Sequence, residues 1–291
     1  MGGMRHHHAR HRRGSASHGG ARALRSLAAA LVAGTSATVL VAAPAGAVVG
    51  GTAAYQGEYP FMVSLRESGY PYCGGTLVAP SWVLTAAHCV TGRTPSELTA
   101  VVDQVARDGS LGETLKVDRT VVDSRYDPDT EDYDAALVHL ASSTVGVSTI
   151  SIDPSGPGDA SFAQAGRAAT VIGFGSTAPE DVDGNGAISY PATLQQTTVT
   201  IDSDSECGSV FNGNKEPAAP ASVMLCAGGD GAHDACVGDS GGPLLVTGAL
   251  GWVQVGVVSW GAGCAVRGVP GVYTRLSDQQ INAFVQSTIG G

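Results

Sequence analysis

Short apolar runs alternate with Gly-, Pro- and Ser-rich breaks along most of this chain. They fall at 61–65, 76–78, 81–85, 120–122 and 135–140, then at 169–174, 193–201, 243–246, 252–260 and 271–276. Runs of this length, apolar or alternating and bounded by turn residues, predict β-strands. Many short strands with frequent turns predict an all-β barrel or sandwich, and the pattern alone does not choose between them. One helix is expected, at the C-terminus. Ser277-Asp-Gln-Gln280 reads as a capping box with Ser277 as the N-cap, and Ile281, Phe284, Val285 and Ile289 then mark one apolar face.

Residues 1–47 break the pattern. They hold six arginines, five of the eight histidines and no acid, followed by an apolar stretch at 27–43 and then Pro44-Ala-Gly-Ala47. A basic start, an apolar middle and a small-x-small end predict a secretory signal peptide cut after Ala47. Processing by removal of a very short propeptide, such as 44–47, is the variant to weigh. Gly34-Thr-Ser36 interrupts the apolar stretch, which is short for a membrane span. Arg12-Arg13 lacks the apolar residues that follow a twin-arginine signal, so the general secretory route is expected. His6–His8 reads as part of the basic leader. The product is then secreted and extracellular, with no membrane contact.

The expected mature chain, 48–291, has 244 residues and carries all 26 acids against ten basic residues, a formal charge of −16. That length suits two small barrels or one large domain. The charge repels nucleic acid. Nothing indicates an oligomer, and a monomer is expected.

The chemistry centres on Asp234-Ala-Cys-Val-Gly-Asp-Ser-Gly-Gly-Pro243. A serine needs a base, a group to orient that base, and donors for an oxyanion before it is a useful nucleophile. Gly238-Asp-Ser240-Gly-Gly242 fits the G-x-S-x-G elbow of α/β-hydrolases, which requires a helix after the serine and a later histidine. Here Pro243 and an apolar run follow, and no histidine occurs after His233. The partners must lie upstream. Thr85-Ala-Ala-His88-Cys89 supplies a histidine, and Asp132-Tyr-Asp134-Ala-Ala supplies an aspartate before an apolar run. Asp134, directly before the run, is preferred to Asp132. His139 reads as a surface strand residue, and His233 has no nucleophile beside it.

In their order and their motifs, these three segments resemble the trypsin-like serine proteases of the chymotrypsin fold, notably secreted bacterial trypsins, from about Val48 onward. The resemblance implies two six-stranded antiparallel β-barrels with a C-terminal α-helix, and a seam near 153–166. It implies Ser240 as nucleophile, His88 as general base and acid, Asp134 as orienter, and the backbone N–H groups of Gly238 and Ser240 as the oxyanion hole. It implies a new N-terminus at Val48 that inserts and pairs with Asp239, and disulfides Cys73–Cys89, Cys207–Cys226 and Cys236–Cys264. Asp234, six residues before Ser240, becomes the floor of a specificity pocket walled by Ser259, Trp260, Gly261 and Gly271. The implied substrates are polypeptides with Arg or Lys before the cut, and protein protease inhibitors are implied partners. A binding protein on the same fold that has lost catalysis is the rival class; the filled triad speaks against it. No cofactor is required. Asp181-Val-Asp183-Gly-Asn185-Gly resembles the start of an EF-hand calcium loop, but Ala192 stands where a bidentate Glu is needed. The same stretch also reads as a polar turn.

Overall fold

The computed structural model describes residues 48–154, 162–181, 183–211 and 222–290. The expected signal peptide and part of the expected 153–166 seam lie outside them. The strands are β1 (Thr52–Ala53), β2 (Met62–Glu67), β3 (Tyr70–Ala79), β4 (Trp82–Thr85), β5 (Leu98–Val102), β6 (Glu113–Val122), β7 (Ala136–Leu140) and β8 (Ser151–Ile152). They continue as β9 (Ala168–Gly173), β10 (Gln195–Thr200), β11 (Met224–Gly228), β12 (Pro243–Gly248), β13 (Gly251–Trp260) and β14 (Pro270–Arg275). Two α-helices are described, α1 (Asp204–Phe211) and α2 (Gln279–Gly290), with one 3-10 turn at Pro95–Glu97.

The first barrel closes in the order β2-β3-β4-β7-β6-β5. Its short apolar runs have nowhere else to go. Met62, Val63, Leu65, Leu77, Val83, Leu84, Leu137 and Val138 are all fully buried, and closure leaves no open edge. The second barrel is less regular than expected. Its sheet runs β1-β10-β9-β12-β13-β14-β11, with β8 added in parallel to β13. Strands β9 to β14 are its six main strands, in an open sheet. Its last seam, between β10 and β11, holds by one isolated bridge, Ile201–Ala227, and the Asp202 N–H donating to Cys226 O at 2.9 Å. The chain turns away into α1 just past that point, so no longer pairing can form.

The C-terminal helix forms as the apolar face predicted, with Ile281 and Val285 fully buried. Its cap is one residue later than the sequence suggested. Asp278 Oδ1, not Ser277, accepts the N–H groups of Gln280 (2.9 Å) and Ile281 (3.0 Å). A carboxylate there gains from the helix dipole as well as from the two bonds.

Candidate active site

The pairing of β4 with β7 sets Thr85 opposite Ala136. The chain just past β4 and the chain just before β7 are therefore neighbours, and they carry His88 and Asp134. Asp134 is fully buried. Its Oδ2 lies 2.8 Å from His88 Nδ1, and its Oδ1 accepts the His88 backbone N–H at 2.9 Å. Ser259 Oγ donates to the same Oδ2 at 2.6 Å, and Thr274 Oγ1 donates to the Asp134 carbonyl at 2.7 Å. The carboxylate is thus held from three sides, and the imidazole is fixed through Nδ1. Burial pulls the His88 pKa down. The hydrogen bond to Asp134, with the charges of Asp134 and Glu131, outweighs it, and the net shift is upward from 6.5. The other candidates stand apart. His139 packs edge-on against Trp82 and pairs with Asp118, and His233 pairs with Asp230. Asp132 makes no hydrogen bond to His88 among the described residues.

The Ser240 loop is clamped between the two barrels. The Gly74 N–H of β3 donates to Ser240 O at 2.7 Å, and Gly241 N–H donates to Val258 O of β13 at 2.8 Å. A Cβ on Gly241, which sits at φ +78°, would lie 2.2 Å from Thr85 Oγ1, so this contact excludes any other residue. Gly238 takes φ +97° against Gly175 and Tyr190. Among the described residues, the N–H groups of Gly238 and Ser240 donate to no protein acceptor. Ser240 is part-buried, and its Oγ forms no hydrogen bond to His88 Nε2 in this structure; such contacts often tighten only with substrate.

Asp239 is fully buried. It accepts from Gly175 N–H at 2.8 Å and Cys236 N–H at 2.9 Å, and burial still pushes its carboxyl up to about 7. Val48 is also fully buried, with φ +60°, a costly conformation for a β-branched residue. Among the described residues, no hydrogen bond or ion pair joins the two.

Beside Ser240 opens a cavity of about 150 Å³ with Asp234, Trp260, Gly261 and Gly271 in its lining. Asp234 is 2% exposed. Its Oδ2 accepts the Ala265 N–H at 2.9 Å, while Oδ1 has no hydrogen-bond partner among the described residues. Burial, with the charges of Asp239 and Asp230, pushes its carboxyl up to about 7 against the pull of the Ala265 and Ala235 N–H groups. A Cβ on Gly271 would come within 2.9 Å of Oδ1, so glycine keeps the floor accessible. A backbone bridge from Val49 to Asp234 holds the floor in place. Cys236–Cys264 braces the wall, and Cys73–Cys89 and Cys207–Cys226 complete the expected pairs.

The sequence reading missed three contributors. Ser259 was placed as pocket wall, yet its side chain serves Asp134. Thr274 carried no signal at all. Glu180 lines the pocket because its backbone pairs with Cys264 on both sides, at 3.2 and 2.8 Å. In the suspected calcium loop, Asp181 Oδ1 accepts the N–H groups of Asp183 (3.0 Å) and Asn185 (2.9 Å). Among the described residues, Asp181 and Asp183 belong to no group of converging metal donors.

Comparison with known proteins places this geometry. The Trypsin family profile matches residues 48–285. A trypsin of Saccharopolyspora erythraea is 36% identical over 81% of this chain and 99% of its own length. Trypsin Blo t 3 of Blomia tropicalis is 37% identical over 80% of this chain and 83% of its own, and trypsin beta of Drosophila erecta is 37% identical over 80% and 85%. The chain belongs to the trypsin family and is a trypsin-like serine endopeptidase.

Proposed function

We propose that this endopeptidase is secreted and cleaves polypeptides after Arg and Lys through an acyl-enzyme. The observation that carries the specificity is the buried Asp234 carboxylate with one unpartnered oxygen at the floor of a slot. An unpaired buried charge is costly, and a substrate guanidinium or ammonium relieves that cost. Ser240 attacks the carbonyl of that residue. His88 takes the serine proton and then delivers it to the leaving amine, while Asp134 fixes the tautomer and stabilises the imidazolium. The Gly238 and Ser240 N–H groups hold the oxyanion, and losing one such donor costs about 3–4 kcal/mol. Water then releases the acyl group by the same steps.

The same reading assigns Val48 and Asp239 to activation. Cutting before Val48 removes the preceding carbonyl that makes its positive φ costly. The new ammonium, placed beside Asp239, supplies the charge that this buried carboxylate lacks. Residues 1–47 act as the secretion signal. Catalysis needs no cofactor. For the 181–189 loop, a calcium-dependent rise in Tm that Asp183→Ala abolishes would assign a site, and no rise would leave a turn.

Digestion of a mixed peptide library tests the proposal. Cuts confined to bonds after Arg and Lys, absent with Ser240→Ala, are expected. Cuts after large apolar residues would remove Asp234 as the determinant.

A further inference from the structure

In the proposed mechanism the Gly238 N–H must hold one direction, yet Gly238 sits at φ +97° and glycine turns easily. Its peptide plane is fixed from the far side. Ser176 N–H donates to Val237 O at 2.8 Å. A trans peptide sets its N–H opposite its carbonyl, so that bond aims the Gly238 N–H the other way. Ser176 is itself buried, and its Oγ accepts the N–H groups of Ala178 (3.3 Å) and Ser189 (3.1 Å). Thr177 N–H donates to Ser189 O at 2.8 Å. These bonds bring the next residue, Tyr190, to Gly238.

A Cβ built on Gly238 would lie 3.1 Å from Gly175 Cα and 3.2 Å from Tyr190 Cε1. The backbone of one and the ring of the other therefore close the same face of the glycine. Arg107 reaches both sides of this contact. Its Nε donates to Phe174 O at 3.3 Å, beside Gly175, and its guanidinium carbon lies 4.2 Å from the centroid of the Tyr190 ring. A cation over a ring face is held by the ring's quadrupole. The Arg107 backbone is fixed to the chain just past Tyr190. Arg107 N–H donates to Ala192 O at 2.9 Å, Leu194 N–H donates to Val105 O at 2.7 Å, and Ala106 bridges Thr193. The Tyr190 hydroxyl makes no hydrogen bond among the described residues, so the ring alone is engaged.

Building on the Ser240 mechanism above, we propose that Tyr190 and Arg107 are positioning residues for the oxyanion donor. Tyr190 holds Gly238 against rotation, and Arg107 holds Tyr190. Neither touches the reacting atoms; both act through the Gly238 N–H. A loop of the first barrel, between β5 and β6, then reaches the oxyanion donor of the second.

The test compares Tyr190→Leu, Tyr190→Phe and Arg107→Gln in protein that begins at Val48. Two inhibitors separate the oxyanion site from the pocket. A peptide aldehyde ending in arginine adds to Ser240 and places its oxygen at the Gly238 N–H, with nothing on the leaving side for Tyr190 to touch. Phenylguanidine fills the Asp234 pocket alone. Tyr190→Leu is expected to lower kcat on an Arg amide by about tenfold, short of the roughly 10²–10³ for outright loss of a donor, and to raise the aldehyde Ki by a similar factor. Arg107→Gln should act the same way by about threefold, the usual worth of a part-exposed cation on a ring. KM and the phenylguanidine Ki should not change, and Tyr190→Phe, which keeps the ring, should restore kcat. Unchanged kcat and aldehyde binding in Tyr190→Leu and Arg107→Gln would overturn the proposal. So would equal weakening of both inhibitors, the mark of a loosened pocket, or a Tyr190→Phe as slow as Tyr190→Leu. If Tyr190→Leu fails to fold, Arg107→Gln decides alone. An unaltered enzyme that neither cleaves the amide nor binds the aldehyde would instead overturn the Ser240 reading, and this inference with it.

Discussion

At the scale of single residues, two aspartates do different work because their surroundings differ. Asp134 is buried but fully served, by the His88 ring and backbone and by Ser259. Asp234 is buried and half-served, which leaves it ready for a cation. Asp234→Ala should therefore lower kcat/KM for Arg substrates by about 10²–10⁴, the loss of a buried pair of about 3–5 kcal/mol. A loss below tenfold would argue against the pocket floor. Ser259→Ala should lower kcat by about tenfold or more, because a hydrogen bond to a charged group is worth about 1.5–3 kcal/mol. Wild-type kcat with this variant would make the bond incidental. Protonation gives a third expectation. In the proposed mechanism His88 works as a base only when neutral, and its pKa lies above 6.5. In the proposed pocket Asp234 attracts a cation only when ionised, and its carboxyl sits near 7. Both groups gain protons as pH falls, so activity on Arg substrates should drop steeply on the acid side of about 7. An acid limb centred near pH 5 would contradict both assignments. The proposed triad was legible because three motifs occurred in one order. Ser259 and Thr274 were not, because a single hydroxyl aimed at a distant carboxylate leaves no local pattern.

At the scale of elements, the sequence spoke clearly where burial was periodic and poorly where it was not. Strands β2 and β7, nearly all buried, read as apolar runs. Strand β11 (Met224–Gly228) was passed over because five residues with a cysteine in the middle look like loop. Helix α1 was also passed over, although its cap was written in the chain. Ser203 N–H donates to Glu206 Oε2 at 2.9 Å, and Ser203 Oγ accepts the Glu206 N–H at 3.2 Å, a reciprocal capping box. The weak apolar stripe behind it, with only Cys207 and Phe211 buried, hid the helix. The C-terminal cap was misread by one residue because Ser277 and Asp278 are both good N-caps. Asp278→Ala should cost about 1 kcal/mol of stability and Ser277→Ala much less, measured by chemical denaturation. The reverse order would contradict the observed bonds.

At the scale of the whole molecule, two barrels meet at one serine loop. Neither alone holds the proposed chemistry, since His88 and Asp134 belong to the first barrel, whereas Asp234 and Ser240 belong to the second. The expected closed second barrel turned out to lean on one bridge at Ile201–Ala227, because α1 starts there. No hydropathy pattern encodes that, since it depends on where two distant segments cross. Stability should carry the signature of the unpaired acids. The folded pKa of Asp234 is about 7, raised from 3.8, so the fold binds this proton more tightly than the unfolded chain does. Its contribution to stability is therefore greatest at low pH and is lost as pH rises from about 4 through 7. A small guanidinium ligand in the pocket reverses that loss, so it should raise Tm more at pH 8 than at pH 5. An equal rise at both would contradict an empty carboxylate slot. The most direct test of the account is kcat/KM on matched amides differing only in the residue before the cut, namely Arg, Lys, Phe and Ala, using protein that begins at Val48 with Ser240→Ala as control. The account predicts cleavage of Arg and Lys amides at rates far above the others, and none with the control. Preference for Phe or Ala, or activity that survives Ser240→Ala, would contradict it.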